Sequence, residues 1–344
     1  MLHSFSTRYL LSEPIRMRKH LLALLAIPSL IFARKTLEYG KLASEEGPWL
    51  TGPIVTPSSH VVPVGHQNYE PYLFWHQFKG VYNDHWRPVK TPLATSIQSQ
   101  TLFQFGVLPA TEIDIFPTFQ YNNFMHKHDW RYSDTPVSIS FQLLMDRPDA
   151  WWPAIKLRFG AIVPLGKYDR LDPKKKGTDL SGTGNWYPGI SFVFGRLFNF
   201  GNYHFLALRF SAKYEFGTSL NVHGLSAYLG APDIDGIKGT RGRVYPGYVL
   251  QFQQGIEYSI THNWAFALDI VYKHCNRTRF KGHTPPGSVV GYRSAELLSL
   301  APAIEYNFNA NVGIIFGPWF SVIGRNSNLT SNFISWVFAV NIFN

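Results

Sequence analysis

The C-terminal segment of the chain alternates between large apolar residues and residues that are mostly small or polar. The apolar set is Ile334, Trp336, Phe338, Val340 and Ile342, and successive side chains of a β-strand point to opposite faces. A strand of about 13 residues, rising about 3.3 Å per residue and tilted by about 45°, crosses about 30 Å, the thickness of a bilayer's hydrocarbon core. The pattern therefore predicts a strand that spans a membrane.

The same alternation recurs earlier in the chain. In 264–273, apolar residues alternate with Ala265, Ala267, Asp269 and Lys273, so the charged residues share the face opposite the apolar set. A soluble β-sandwich buries its apolar face, whereas a barrel in lipid exposes that face and encloses the polar one. The lengths of the connections decide between these two folds.

Twelve alternating segments are predicted as strands: 66–79, 93–107, 111–124, 136–146, 152–166, 186–197, 203–217, 247–260, 264–276, 296–308, 312–324 and 332–344. Connections after the even-numbered segments are short, whereas four of the six after odd-numbered segments have roughly 13, 20, 30 and 20 residues, an asymmetry typical of outer-membrane barrels with periplasmic turns. The prediction is an all-β fold: a closed antiparallel transmembrane β-barrel of about 12 strands in a bacterial outer membrane, with long extracellular loops.

The N-terminus carries the pattern of a secretory signal peptide. An apolar stretch, 21–32, follows Arg18 and Lys19 and precedes the small residue Ala33. Since Met17 is a plausible start, residues 1–33 are interpreted as an overcalled start plus a signal peptide. The bulky Ile31 leaves the cleavage site open.

Residues 34–65 are rich in proline and glycine and show no period of two or of 3.6 residues. They are predicted to form an irregular leader, which either hangs in the periplasm or folds back as a plug. Residues 66–344 form one barrel domain, because dividing a closed barrel would expose free strand edges.

Composition narrows the possible partners. The chain has a formal net charge of +10 and one cysteine, so an internal disulfide is excluded. No apolar run reaches the 18 residues or more that a helical membrane span requires. On an outer-membrane protein, a basic surface is expected to meet lipopolysaccharide phosphates or anionic solutes, whereas nucleic acid is absent from that compartment.

Four segments carry a resemblance to a known group of proteins: SEEGPWLTGP (44–53), EPYLFW (70–75), VPLGKY (163–168) and SLAPAIEYN (299–307). They resemble an uncharacterised family of outer-membrane β-barrels from intracellular Gram-negative bacteria. A looser similarity, over most of the barrel, is to the transporter-like barrels grouped with the MetA pathway of phenol degradation. The resemblance implies outer-membrane lipid and the barrel insertion machinery as partners. It departs at Asn344, which stands in the register where such barrels commonly carry an aromatic residue.

Ionisable residues on the polar face are the predicted functional residues. Basic ones fall on the fifth and seventh strands, and acidic ones on the first, third, eighth, ninth and tenth. Most lie near a periplasmic turn, which predicts a constriction with a transverse electric field. The alternative is that they pair with one another across a narrow lumen. The predicted lumen and constriction residues are Glu70, Glu112, Asp114, Lys156, Arg158, Arg209, Lys213, Glu257, Asp269 and Glu305.

The predicted function is a porin-like, passive or weakly selective channel that transports small solutes. The alternative is a closed barrel for surface display or envelope integrity, suggested by the long loop at 217–247. A lipid-modifying enzyme is less well supported, because Ser259 and His262 share a turn but no GxSxG elbow occurs. His126 and His128 beside Asp129 match the spacing of a metal pair, but thirteen histidines in the chain make such a match expected by chance, which favours a surface loop. We therefore expect no catalytic residues, metal or cofactor.

Overall fold

A computed structural model of the protein describes residues 47–147, 150–234, 236–326 and 332–344. The predicted signal peptide lies outside the described residues, as does the first part of the leader. The described part of the chain holds no helix with the length and hydrophobicity of a membrane span. A single turn of 3-10 helix occurs there, at Pro173–Lys175.

Seventeen β-strands account for most of the described residues. The strands are β1 (Gln67–Tyr82), β2 (Pro88–Leu108), β3 (Thr111–Ile115), β4 (Thr118–Phe124), β5 (Lys127–Tyr132), β6 (Thr135–Leu144), β7 (Ala154–Val163), β8 (Tyr187–Asn199), β9 (Phe205–Phe216), β10 (Leu220–His223), β11 (Arg241–Tyr245), β12 (Tyr248–Ser259), β13 (Trp264–Cys275), β14 (Arg279–His283), β15 (Ala295–Asn307), β16 (Val312–Arg325) and β17 (Asn332–Phe343).

The main sheet closes on itself. Its order is β1-β17-β16-β15-β13-β12-β9-β8-β7-β6-β3-β2, and β2 returns to pair with β1. Every neighbouring pair is antiparallel. Because each strand has a partner on both sides, no edge is left unpaired in lipid. The predicted closed antiparallel barrel of 12 strands is confirmed.

Two of the twelve barrel strands are interrupted. β2 pairs with β3 through Phe103–Leu108 and with β4 through Ala94–Gln100, so β3 and β4 form one barrel strand. The break falls at Pro117, which has no N–H to donate to the ladder. β5 and β6 form the adjacent barrel strand in the same way.

Side chains alternate across the wall as predicted. On β17, Phe338 is 42% exposed, whereas Val337 and Ala339 are buried. On β13, Phe266 is exposed and Ala267 is buried. An exposed apolar belt of this kind faces the acyl chains in an outer-membrane protein, which crosses the bilayer many times with β-strands.

The outer loops are more ordered than the sequence pattern predicted. β1 and β2 continue past the barrel, leaving a turn at 83–87 where a loop of roughly 13 residues was expected. The long loops after β9 and β13 contain a separate three-stranded sheet in the order β10-β11-β14. Leu220, Val222, Tyr228 and Val244 form its own apolar core. Alternation over four or five residues is too short to distinguish such strands from loop.

Candidate functional site

Residues 47–66, called here the N-terminal segment, contact the inward-facing side chains of the barrel. The Thr51 N–H donates to Glu305 over 2.8 Å. The N–H groups of Val55 and Thr56 donate to the two carboxylate oxygens of Asp269 over 3.0 and 2.9 Å. The carboxylates on β13 and β15 therefore bind the backbone of this segment.

The second half of the N-terminal segment is held by the opposite wall. The Val62 N–H donates to Glu112 over 2.8 Å, and the Lys156 ammonium donates to the His60 carbonyl over 3.1 Å. The Val61 N–H donates to Gln142 over 2.9 Å. An irregular segment has no ladder to satisfy its backbone, so polar side chains of the wall supply the partners that buried N–H groups need.

Inward-facing glycines make room for the segment. A Cβ on Gly255 would lie 3.0 Å from the Thr56 Cβ, and one on Gly195 would collide with the Ser59 side chain. Ile54 packs among small or apolar inward side chains that include Ala303 and Val337. Glycine at inward positions of a strand was the sequence signal for a close backbone approach, and our sequence interpretation did not use it.

At the periplasmic end, Asp146 binds the N-terminal segment through the side chain of His60. The His60 Nε2 lies 2.8 Å from the Asp146 carboxylate, whose side chain is 6% exposed. Burial raises the pKa of Asp146, but the hydrogen bond and charge of His60, the Leu197 N–H and the Arg196 charge together outweigh it, so this pKa lies below its usual value. Asp146 lies two residues beyond Leu144, the last residue of β6, and is not among the predicted site residues.

The predicted basic residues on β7 are paired with the predicted acids on β3. Lys156 lies 2.9 Å from Glu112, and both side chains are fully buried. Arg158 lies 2.8 Å from Asp114. Two strands further along the barrel, Arg209 on β9 lies 2.7 Å from Glu257 on the neighbouring strand β12.

Glu70 is held without a cation. It accepts hydrogen bonds from the Tyr72 hydroxyl over 2.6 Å and from the side-chain amides of Asn68 and Asn341 over 2.6 and 2.8 Å. All ten predicted residues thus lie on the inner face, and nine of them have a hydrogen-bonded or ionic partner in the periplasmic half of the wall or in the N-terminal segment. Their role in a constriction stays a prediction.

The tenth, Lys213, lies nearer the outer end, 3.1 Å from Glu215. Across the ladder it faces Gln251, which in turn faces Lys273. Lys273 is exposed although it points inward, and no described residue forms an ion pair or hydrogen bond with its ammonium group. The alternation that predicts Asp269 on the inner face also predicts Lys273 there, although Lys273 is not among the predicted site residues.

The loop between β7 and β8 bends inward at the outer end. The side-chain amides of Gln120 and Asn122 each donate to the Leu180 carbonyl over 2.8 Å. Asp179 is buried and lies 2.6 Å from Lys167. The outer mouth is therefore narrowed by residues of this loop, as the periplasmic half is by the N-terminal segment.

The residues considered for catalysis or metal binding are not brought together. The Ser259 hydroxyl has no hydrogen-bond partner among the described residues, and the His262 ring lies 3.7 Å from that of Trp49. Asp129 pairs with Arg131 and Lys175, each over 2.7 Å. Within the described ranges, no three His, Cys, Asp or Glu side chains are arranged to hold a metal ion.

Comparison with solved structures places the fold among outer-membrane barrels. The chain is similar to the crystal structure of an outer-membrane channel from Pseudomonas putida F1, with a TM-score of 0.63 and 10% identity, covering 84% of this chain and 100% of that one. The NanC porin (TM-score 0.42, 9% identity, 80% and 98% covered) and the Ralstonia pickettii toluene transporter TbuX (0.36, 12%, 82% and 90%) align too loosely to carry an argument. No protein-family model and no curated protein matches the chain. The chain therefore shares the fold of an outer-membrane channel.

Proposed function

We propose that the protein is an outer-membrane channel for small solutes that prefers anions and opens when the N-terminal segment moves. The observation that carries the proposal is the position of Lys273, which faces inward, is exposed, and has no ionic partner among the described residues. The structural similarity to a channel supports the same class of function at the level of fold.

The accessible charge of the inner wall is positive. Asp269 and Glu305 are buried and accept hydrogen bonds from the N-terminal segment. Lys273, by contrast, is exposed. Lys213 lies two strands away on the same face, but Glu215 offsets its charge, so the accessible excess is that of Lys273. A narrow lumen with low-dielectric walls focuses the field of such cations, so anions are concentrated there.

The N-terminal segment has the properties of a movable plug. Most of its specific contacts are hydrogen bonds from its backbone to wall side chains, and each such bond contributes only about 0.5–3 kcal/mol net. Its buried branched aliphatic side chains are limited to Ile54, Val61 and Val62. A segment held in this way can leave the wall without unfolding the barrel ladder.

The test of ion preference is the reversal potential of the refolded protein in a planar bilayer under a salt gradient. The Lys273→Glu variant is expected to shift the preference from anions toward cations. Lys174→Glu makes the same charge change on an exposed loop residue and is the matched control. If the two variants give the same reversal potential, Lys273 does not line the solute pathway and the proposal fails.

A closed barrel is the second candidate function. It is favoured by the contacts at both mouths, where the N-terminal segment and the Leu180 loop contact the inner wall. A closed barrel would show no conductance in any state of the segment, which distinguishes it from a gated channel.

A further inference from the structure

We infer that the exposed face of the sheet β10-β11-β14 binds the phosphorylated headgroups of glycolipid in the outer leaflet. Arg241, Arg243 and Tyr245 alternate on β11 and are exposed. Val244, which points the other way, is fully buried in the core of the small sheet. One face of this sheet therefore packs against the loop core, and the opposite face, which carries Arg241, Arg243 and Tyr245, is exposed.

The neighbouring strand extends the same charged face. In the register of β11 and β14, Arg279 pairs with Tyr245, Lys281 with Arg243, and His283 with Arg241. The three β14 residues are also exposed. With strands about 4.8 Å apart and same-face residues about 7 Å apart, the four permanent cations occupy a patch the size of one or two sugar units.

Few acidic groups offset this charge. Among the described residues, Asp233 is the acidic residue that forms an ion pair with one of these cations, at 3.2 Å from Arg241. Both side chains are more than half exposed. An exposed pair of this kind contributes little. Arg243 donates to the neutral Ser219 hydroxyl over 3.0 Å. The face therefore keeps most of its positive charge available for a partner.

Tyr245 gives the face a second chemical feature. The Arg243 guanidinium carbon and the Lys281 ammonium each lie 5.8 Å from the centre of its ring. Cations hold a phosphate by charge-assisted hydrogen bonds, while an aromatic ring offers a flat apolar surface with a polar edge. An aromatic ring between two cations suits a sugar that carries phosphate better than it suits a bare inorganic anion.

The charged face lies close to the barrel strands, which favours a lipid of the outer membrane as its ligand. Tyr245 precedes Tyr248, the first residue of β12, by three positions, and Arg279 follows Cys275, the last residue of β13, by four. At no more than about 3.6 Å per residue, both lie within roughly 11–15 Å of the strand ends. The headgroup region begins at the edge of the hydrocarbon core and is about 5–8 Å thick. The face is thus within reach of headgroup phosphates.

The test uses the complete mature barrel in detergent, with lipopolysaccharide carrying both lipid A phosphates as the probe and native mass spectrometry as the measurement. Arg243→Ala with Lys281→Ala is expected to weaken binding at least tenfold. Lys174→Ala with Lys176→Ala removes the same charge from another outer loop and is expected to leave binding unchanged. Heat-dependent migration in gels confirms that each variant is folded.

Two further probes test whether binding requires phosphate and whether the ligand is a membrane glycolipid or a soluble polyanion. Enzymatically dephosphorylated lipopolysaccharide is expected to bind at least tenfold more weakly than the intact form. Equal binding of both forms, or an equal loss in the two double variants, would overturn the inference. Soluble polyphosphate or a sulfated glycan binding more tightly than intact lipopolysaccharide would also overturn it, because the occupant would then be a soluble polyanion.

Discussion

Lys156 and Glu112 form a fully buried ion pair in the barrel wall, with 2.9 Å between the ammonium and the carboxylate. Glu112 also accepts the Val62 N–H. Removing one member of a buried pair leaves the other charge without compensation, which costs far more than the pair itself contributes. The pair therefore makes the wall and the N-terminal segment depend on each other.

Lys156→Met is expected to lower the free energy of unfolding by about 3–5 kcal/mol. The measurement is urea unfolding in lipid vesicles, followed by tryptophan fluorescence. The double variant Lys156→Met with Glu112→Leu removes both charges and should lose less than the single variant. A double variant at least as destabilised as the single one would show that the loss of Lys156 does not leave an uncompensated charge on Glu112.

At the scale of elements, the N-terminal segment is the part of the fold whose attachment can be weakened separately. Asp269 accepts two of its backbone N–H groups, and hydrogen bonds to a charged group contribute about 1.5–3 kcal/mol each. The barrel ladder of β13 does not use this side chain. Loss of the carboxylate should therefore free the segment and leave the barrel intact.

Asp269→Ala is expected to raise the rate at which a polar thiol reagent labels Thr56→Cys by about a hundredfold or more, in a Cys275→Ser background. Thr56 is buried, so labelling requires the segment to move. Glu296→Ala is the control, because Glu296 pairs with Arg325 and not with the segment. An unchanged labelling rate would show that Asp269 does not hold the segment in place.

The barrel strands from β8 onward could be predicted from the sequence to within two residues. By contrast, β1 ends three residues later than predicted, β2 begins five residues earlier, and the strand formed by β5 and β6 begins nine residues earlier. β13 was expected at 264–276 and lies at Trp264–Cys275, and β17 was expected at 332–344 and lies at Asn332–Phe343. Lipid contact imposes alternation on each strand independently, so the pattern is local. The sheet β10-β11-β14 was missed, because its strands have four or five residues and lie in loops rich in glycine and proline.

The sequence predicts which charged residues face inward, but it does not identify the residues that bind them. Alternation predicts Asp269 on the inner face, but its partners Val55 and Thr56 precede it by more than 200 positions and belong to a segment without periodicity. Lys273 follows Asp269 by four positions in the same phase, yet its exposure depends on how far the N-terminal segment extends. Contacts of this range depend on the closed barrel and are not encoded in any local pattern.

At the scale of the whole molecule, the closed ladder supports a lumen that is filled in its periplasmic half and accessible near Lys273. Under the proposed function, such a channel is expected to conduct only when the N-terminal segment leaves its place. The Thr56 Cβ would lie 3.0 Å from a Cβ on Gly255, and a shift of less than about 1 Å brings this separation into the range of a disulfide. A cysteine pair at these positions can therefore lock the segment to β12.

The most direct measurement is the planar-bilayer conductance of Thr56→Cys with Gly255→Cys, in a Cys275→Ser background, before and after reduction. We expect the oxidised protein to conduct little and the reduced protein to open, while Thr56→Cys alone is insensitive to the reductant. Equal conductance in both states, or no conductance in either, would contradict a channel that opens by movement of the N-terminal segment.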